Sequence, residues 1–174
     1  DDITSIEKYK LEPNSMQVGF IKNLRKIQEA GARKALLISA TGTGKTYASA
    51  FAMRELGFQR VLFLVHRNQI AKQAQKSFRK VFSGQVSMGL VTGKYQECDK
   101  DFIFATIQTL SKEENLHRYE KNAFDAIVID EAHHSAANSY KKVLDYFEPK
   151  LWLGMTATPD KRDDNLEGRN IYEI

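Results

Sequence analysis

The sequence predicts an α/β fold with three layers, in which helices cover both faces of a parallel β-sheet. Six short apolar runs, rich in Val, Ile, Leu and Phe, are too short for isolated helices and are typical of buried strands. Stretches with the period of an amphipathic helix lie between several of these runs. Because alternating strands and helices form parallel sheets, we expect ligands to bind at the carboxyl ends of the strands.

The predicted elements follow one another in a regular order along the chain. A first helix begins after Pro13, at Asn14 or Ser15, and ends near Gly31, and its apolar face consists of Phe20, Ile21, Leu24 and Ile27. The predicted strands cover residues 35–39, 60–65, 86–91, 102–106, 126–130 and 151–157. Two more helices are indicated by apolar stripes, one formed by Ile70, Ala71, Ala74, Phe78, Val81 and Phe82, and one by Tyr140, Val143, Leu144 and Phe147.

Composition excludes several classes of protein. With 42% hydrophobic and 28% charged residues, the bulk of the chain is not disordered. The chain has no uncharged apolar run of the roughly 18 residues that span a bilayer, and acids stand at its start, so we expect a cytoplasmic protein without a membrane partner. The single cysteine, Cys98, excludes an intrachain disulfide and a cysteine-rich zinc site. The net charge of +4 is compatible with a polyanionic partner but does not require one.

A glycine-containing segment after the first strand, residues 39–46, has the features of a phosphate-binding loop. Gly42 and Gly44 allow the backbone N–H groups to converge on phosphate oxygens, and a helix beginning near Lys45 adds its positive dipole end. Lys45 supplies a charge for the phosphates, and the Thr46 hydroxyl can ligate Mg²⁺. Ser39 occupies the first glycine position of the general pattern. A glycine-rich turn that binds nothing is the alternative, but it would give the Lys-Thr pair no purpose.

The predicted strand 126–130 ends in two carboxylates, Asp130 and Glu131. Acids at the end of a buried strand are costly without a partner, and a cation that arrives with a nucleotide would supply one. Asp130 would then hold Mg²⁺, and Glu131 would orient and deprotonate an attacking water. The alternatives are a solvated strand end before a helix, and a metal cluster with His133 and His134, which lacks the spacing of a zinc site. The chain has no nucleophile elbow of a serine or cysteine hydrolase.

Residues 40–46, 130–133 and 156–158, taken in this order, resemble motifs I, II and III of the superfamily-two helicases and translocases, with a DEAH-type second motif. The resemblance extends over nearly the whole chain and is strongest to the helicase-like subunits of type I and type III restriction enzymes. It implies a P-loop NTPase domain of the RecA-like type, with ATP and Mg²⁺ as cofactors. It also implies a nucleic acid as partner, with DNA favoured over RNA.

The resemblance also assigns roles to single residues. Catalysis would involve Lys45, Asp130, Glu131 and His133. Nucleotide binding would involve Gln17, Thr41, Gly42, Thr43, Gly44, Lys45 and Thr46, and Thr46 and Asp130 would hold the metal. Coupling between the two ligands would use Thr156 and Thr158. Nucleic-acid contacts would come from three loops that resemble motifs Ia, Ib and Ic, through Arg67, Thr92, Gly93, Thr106 and Gln108.

A strip of basic residues, Lys72, Lys76, Arg79 and Lys80, is interpreted instead as a solvated helix face. We expect residues 1–174 to form a single domain, with 1–12 as an N-terminal extension and 160–174 as the start of a connector. The resemblance implies that a second RecA-like domain follows and supplies arginines to the reaction. Alternatives are a nucleic-acid sensor or scaffold that uses ATP as a switch, and a small P-loop kinase.

Overall fold

The computed structural model describes residues 11–38, 42–130 and 137–156, with residues 42, 43 and 137 described by their backbone. The predicted extension and connector therefore fall largely or wholly outside the described residues. Six helices and six strands alternate along the described part of the chain. In order they are α1 Ser15–Glu29, β1 Lys34–Ile38, α2 Gly42–Glu55, β2 Val61–Val65, α3 Asn68–Phe82, β3 Met88–Val91, β4 Phe102–Thr106, α4 Ile107–Leu110, α5 Glu113–Leu116, β5 Ala126–Asp130, α6 Ala137–Tyr146 and β6 Leu151–Thr156.

The six described strands form one parallel sheet in the order β1-β6-β5-β2-β4-β3. Its register aligns the carboxyl ends of the strands at one edge: Ile38 pairs with Thr156, Asp130 with Met155, and Val65 with Thr106. The loops that follow β1, β5, β2, β4 and β3 therefore leave the sheet on the same side, which we call the carboxyl edge.

Alternating side chains of the strands divide the core between the two faces of the sheet. On one face, Phe63, Phe104 and their neighbours pack against α1, α2 and α3. On the other face, Leu62, Leu64 and Ile103 pack against α4, α5 and α6. The predicted three-layer fold is confirmed, because helices cover both faces of the sheet, although the edge strand β1 remains partly exposed.

The helices on the first face show how the sequence determines their packing. Asn14 caps α1, because its side chain accepts from the Gln17 N–H while the Gln17 side chain accepts from the Asn14 N–H. Helix α2 lies between α1 and α3, and small residues such as Ala48, Ala50 and Ala52 are buried along it. These alanines allow close approach of both neighbouring helices, so α2 packs tightly between them.

The structure differs from three details of the sequence analysis. Helix α2 begins at Gly42, earlier than the expected start near Lys45, and β2 and β3 begin at Val61 and Met88, one and two residues after their predicted starts. Leu144 was predicted to belong to an apolar stripe, but it is 43% exposed, while Tyr140, Val143 and Phe147 are buried. Leu144 lies at the margin of the stripe, where α6 turns from the sheet to solvent. No helix of the described residues is long and apolar enough to cross a membrane.

Candidate nucleotide-binding site

The carboxyl edge brings the end of β5 close to the start of α2. Asp130 is the last residue of β5, and β6 separates that strand from β1, which α2 follows. Neighbouring strands are spaced about 4.8 Å apart, so Asp130 lies about 10 Å across the sheet from the end of β1. A long side chain from α2 can span part of this distance.

Lys45 makes that connection. Its Nζ lies 2.9 Å from Asp130 Oδ1, and the side chains are only 3% and 8% exposed. Lys45 belongs to the first turn of α2, where the helix dipole disfavours a positive charge, and burial removes both charges from water. An ion pair with these two unfavourable contributions stabilises a fold poorly. It is well suited to a site in which the lysine moves from the carboxylate to an anionic ligand.

The same carboxylate has the chemistry to hold a divalent cation. Apart from the ion pair with Lys45, Asp130 Oδ1 has no hydrogen-bond partner among the described residues. Carboxylate and hydroxyl oxygens are ligands that Mg²⁺ prefers, and Thr46 follows Lys45 directly on α2. Asp130 and Thr46 therefore fit the metal that accompanies a nucleotide. Within the described residues, no group of three or more His, Cys, Asp or Glu side chains forms a separate metal cluster.

A cavity beside Lys45 lies between α1, β1 and α2. Its walls are mainly apolar, with polar groups at one side, and it is lined by Asn14, Met16, Gln17, Phe20, Leu37, Ile38, Gly44, Lys45 and Ala48. Apolar walls with a few polar groups are typical of pockets for flat organic ligands. Because Gly44 and Lys45 line the cavity, a ligand in it would lie next to residues predicted to bind phosphate.

Gln17 lies in this cavity with its amide orientation fixed. Its Oε1 accepts from the Asn14 N–H at 2.9 Å, and its own N–H donates to Asn14 Oδ1 at 2.9 Å. The Gln17 NH₂ group makes no hydrogen bond to any described residue and can donate to a ligand. The sequence analysis missed Asn14, Met16 and Phe20 as lining residues. The spacing of Asn14 and Gln17, which is that of a capping box, could have indicated the first.

The residues predicted to contact nucleic acid all lie at the carboxyl edge, but they differ in exposure. Arg67, Gly93 and Gln108 are exposed. Thr92 and Thr106 are buried, with 1% and 4% exposure. The Thr92 hydroxyl accepts from the Lys94 N–H at 3.3 Å, and the Thr106 hydroxyl donates to Thr109 Oγ1 at 2.9 Å. Because both hydroxyls are buried and form hydrogen bonds within their own loops, they stabilise the loop conformation and do not face the surface.

Thr156 ends β6 between the two halves of the nucleotide site. It pairs with Ile38 of β1, while its neighbour Met155 pairs with Asp130 of β5, and it is 3% exposed. Four other predicted site residues lie outside the described residues: Thr41, Glu131, His133 and Thr158. Gly42 and Thr43 are the first two residues of α2. The basic strip on α3, from Lys72 to Lys80, is exposed as predicted.

A family model described as the res subunit of type III restriction enzymes matches residues 10–161. Among curated proteins, the candidate ATP-dependent helicase IRC3 of Saccharomyces cerevisiae is 36% identical over 151 residues, covering 76% of this chain and 21% of that protein. The endonuclease subunit of the type I restriction enzyme EcoAI of Escherichia coli is 31% identical over 159 residues, covering 84% of this chain and 19% of that protein. The chain thus spans about a fifth of the length of these relatives.

Solved structures share the fold at lower identity. A hypothetical ATP-dependent RNA helicase from Sulfolobus tokodaii has a TM-score of 0.70 at 20% identity, over 92% of this chain and 50% of that one. The Type ISP restriction-modification enzyme LlaGI, solved with a DNA substrate mimic, has a TM-score of 0.65 at 21% identity, over 86% of this chain and 18% of that one. These similarities agree with the parallel sheet and its two helical layers.

Proposed function

Because the chain belongs to the family of the type III restriction enzyme res subunit, we propose that it binds and hydrolyses ATP as part of a nucleic-acid-dependent ATPase. The larger protein would be a helicase or a double-strand DNA translocase. The observation that supports this function best is the buried Lys45–Asp130 ion pair at the carboxyl edge, next to the cavity lined by Gln17. The chain covers about a fifth of the length of its relatives, so the proposal concerns the contribution of this domain to a longer protein.

The ion pair supports an exchange of partners when a nucleotide binds. The Lys45 ammonium would turn from the Asp130 carboxylate to the phosphates, which carry more negative charge. Asp130 would then be free to hold Mg²⁺ together with the Thr46 hydroxyl. The metal supplies positive charge that neutralises the phosphates as the bond to the γ-phosphate breaks. The chain itself contributes the lysine, the helix N-terminus of α2 and a buried setting that strengthens each charge.

The proposed catalytic base is Glu131, which follows Asp130 in the chain. It would orient the attacking water and accept its proton. His133, two residues further on, would assist this catalysis. The phosphates would be surrounded by Thr41, Gly42, Thr43 and Gly44. The nucleobase would occupy the cavity beside Lys45, with the Gln17 NH₂ group donating to it.

The nucleic-acid partner would bind at the same edge, through Arg67, Gly93 and Gln108 and through loops that Thr92 and Thr106 shape. We favour DNA, because curated relatives are subunits of type I restriction enzymes, and LlaGI was solved with a DNA substrate mimic. Thr156 and Thr158 would connect the nucleotide site with these loops. A second RecA-like domain of the full-length protein would complete the site by adding arginines.

The proposal is tested by measuring binding of ATP with Mg²⁺ and the release of phosphate, with and without duplex DNA. We expect this chain to bind ATP weakly and hydrolyse it slowly without unwinding, and a longer chain that includes the second domain to respond strongly to DNA. Rapid DNA-stimulated hydrolysis by the 174 residues alone would contradict the need for a second domain. Transfer of the phosphate to a small acceptor would instead indicate a kinase.

A further inference from the structure

The basic residues of the chain are unevenly distributed. Residues 56–96 contain seven Lys and Arg and no Asp or Glu, although the whole chain contains 26 basic and 22 acidic residues. The positive net charge of the protein therefore comes from this segment, which runs from the end of α2 through β2, α3 and β3 to the loop that follows. A segment of this length without an acid attracts polyanions.

Part of this charge surrounds an exposed aromatic ring at the carboxyl edge. The Lys72 Nζ on α3 lies over the Tyr95 ring, 5.2 Å from its centre. Tyr95 is 38% exposed, and Lys94 beside it is also exposed. We call Lys72, Lys94 and Tyr95 the Tyr95 cluster. None of its lysines forms an ion pair with an acid of the described residues.

The loop that carries Tyr95 is held rigidly at the free edge of the sheet. The Thr92 N–H donates to the Tyr95 carbonyl at 2.9 Å, and the Lys94 N–H donates to Thr92 Oγ1 at 3.3 Å. Beyond the turn, the Glu97 N–H donates to the Leu90 carbonyl, and the Glu97 carboxylate accepts from the Leu90 N–H, both at 2.9 Å. The carboxylate of Glu97, the acid nearest to Tyr95 in the sequence, thus accepts from a backbone N–H. An aromatic ring fixed in this way loses little conformational entropy when a ligand covers it.

We propose that the Tyr95 cluster binds a nucleic-acid strand, with an unpaired base stacked on the exposed part of the Tyr95 ring and flanking phosphates held by Lys72 and Lys94. Positive charge combined with an exposed aromatic ring is how proteins hold single strands without reading their sequence. The cluster rests on the proposed function and adds two lysines and an aromatic contact to the interface at Arg67, Gly93 and Gln108. Tyr95 lies within the loop that already carries Gly93. It also distinguishes Lys72 from the rest of the basic strip.

The test measures the affinity of this chain for a fluorescent single-stranded oligonucleotide and for the duplex of the same sequence, at several salt concentrations. We expect Tyr95→Ala to weaken single-strand binding by about fivefold or more and duplex binding much less, while Tyr95→Phe keeps the stacking. Lys72→Ala and Lys94→Ala should each lower the slope of log affinity against log salt by about 0.7. Lys80→Ala is the matched control, because Lys80 is an exposed lysine about 12 Å further along α3.

Two results would overturn the inference while leaving the proposed function intact. One is Tyr95→Ala binding the single strand within about twofold of the parent, or losing affinity for the duplex equally. The other is Lys80→Ala changing the salt slope as much as Lys72→Ala does. A parent chain that binds ATP with Mg²⁺ but neither oligonucleotide would overturn both the inference and the nucleic-acid part of the proposed function. Thermal unfolding of each variant distinguishes a loss of affinity from a loss of fold. The two lysine variants test the cluster independently of Tyr95.

Discussion

Lys45 Nζ and Asp130 Oδ1 lie 2.9 Å apart, and their ion pair joins α2 to the end of β5, although β6 separates β5 from β1 in the sheet. Both side chains are nearly inaccessible to water. Because separating two buried charges is costly, we expect the pair to link the stability of the fold to the proposed binding of nucleotide.

The first prediction concerns this link. Lys45→Ala should abolish ATP binding, and it should also lower the free energy of unfolding by about 3 kcal/mol, because Asp130 is left as a buried, unpaired charge. Equilibrium unfolding in urea measures the stability, and a fluorescent ATP analogue measures the binding. The double variant Lys45→Met with Asp130→Asn removes both charges and should recover most of the stability without recovering binding. A double variant as unstable as Lys45→Ala would show that the charge of Asp130 is not the cause.

The second prediction separates nucleotide binding from hydrolysis. Glu131→Gln should leave the affinity for ATP nearly unchanged and reduce the rate of phosphate release by about a hundredfold or more, because the amide cannot accept a proton from the attacking water. Glu120→Gln provides the control, since Glu120 is an exposed acid beside a cavity at the opposite edge of the sheet. If the Glu131→Gln protein hydrolyses ATP at the parental rate, another group is the base.

The third prediction distinguishes two roles of Gln17. Gln17→Glu keeps the side-chain oxygen that accepts from the Asn14 N–H, but it replaces the NH₂ donor that faces the cavity. We expect the stability to be unchanged or slightly higher, because an acid in the first helical turn is favourable. The affinity for ATP should fall, because a carboxylate cannot donate a hydrogen bond to the nucleobase.

Asn14→Ala is the complementary variant, since it removes the cap and costs about 1 kcal/mol of stability while leaving the Gln17 NH₂ group in place. Competition of ATP with the fluorescent analogue measures the affinity for ATP in both variants. Equal effects on this affinity would mean that Gln17 acts only by capping α1.

The fourth prediction concerns the buried hydroxyl of Thr106. Thr106→Val removes the hydrogen bond to Thr109 Oγ1 and leaves that group without its donor, which should cost about 1 to 2 kcal/mol of stability. Gln108→Ala removes an exposed amide that donates to the His66 carbonyl at 3.4 Å, a weak bond, so its stability should change little. Nucleic-acid affinity should fall more for Gln108→Ala than for Thr106→Val. The reverse order would show that the Thr106 hydroxyl turns outward to meet the ligand.

Hydrophobic periodicity predicted helices on both faces of the sheet, but it did not indicate α4 and α5, which are one turn long and too short to show a period. The apolar stripe from Ile70 to Phe82 is α3, and its members Phe78 and Phe82 pack with Phe102 at the core. The order of the strands could not be predicted in this way, because any buried strand can pair with any other. The position of β6 between β1 and β5 is therefore a finding of the structure, and Lys45 meets Asp130 only through it.

The type of a residue indicated its possible chemical role better than it indicated the direction of its side chain. Lys45 and Asp130 were predicted from motifs, and the structure brings them together. Thr92 and Thr106 were selected because hydroxyls bind phosphates, but side-chain direction depends on the loop, and both are buried. Tyr95 carried no recognisable pattern at all. Its place beside Lys72 depends on a turn whose hydrogen bonds involve the backbone more than the side chains.

The sheet order also has a mechanical consequence. Strands β1, β6 and β5 carry the residues proposed to bind nucleotide, and β2, β4 and β3 precede the loops proposed to contact nucleic acid, so the two halves join where β2 pairs with β5. The lateral hydrogen bonds of this seam and the close-packed core on both faces resist sliding of one half past the other. We therefore expect the described sheet to move as one rigid body. If the larger protein moves along a nucleic acid as proposed, this movement would arise from rotation of the domain as a unit, and its length would depend on the distance from the seam to the outermost loop.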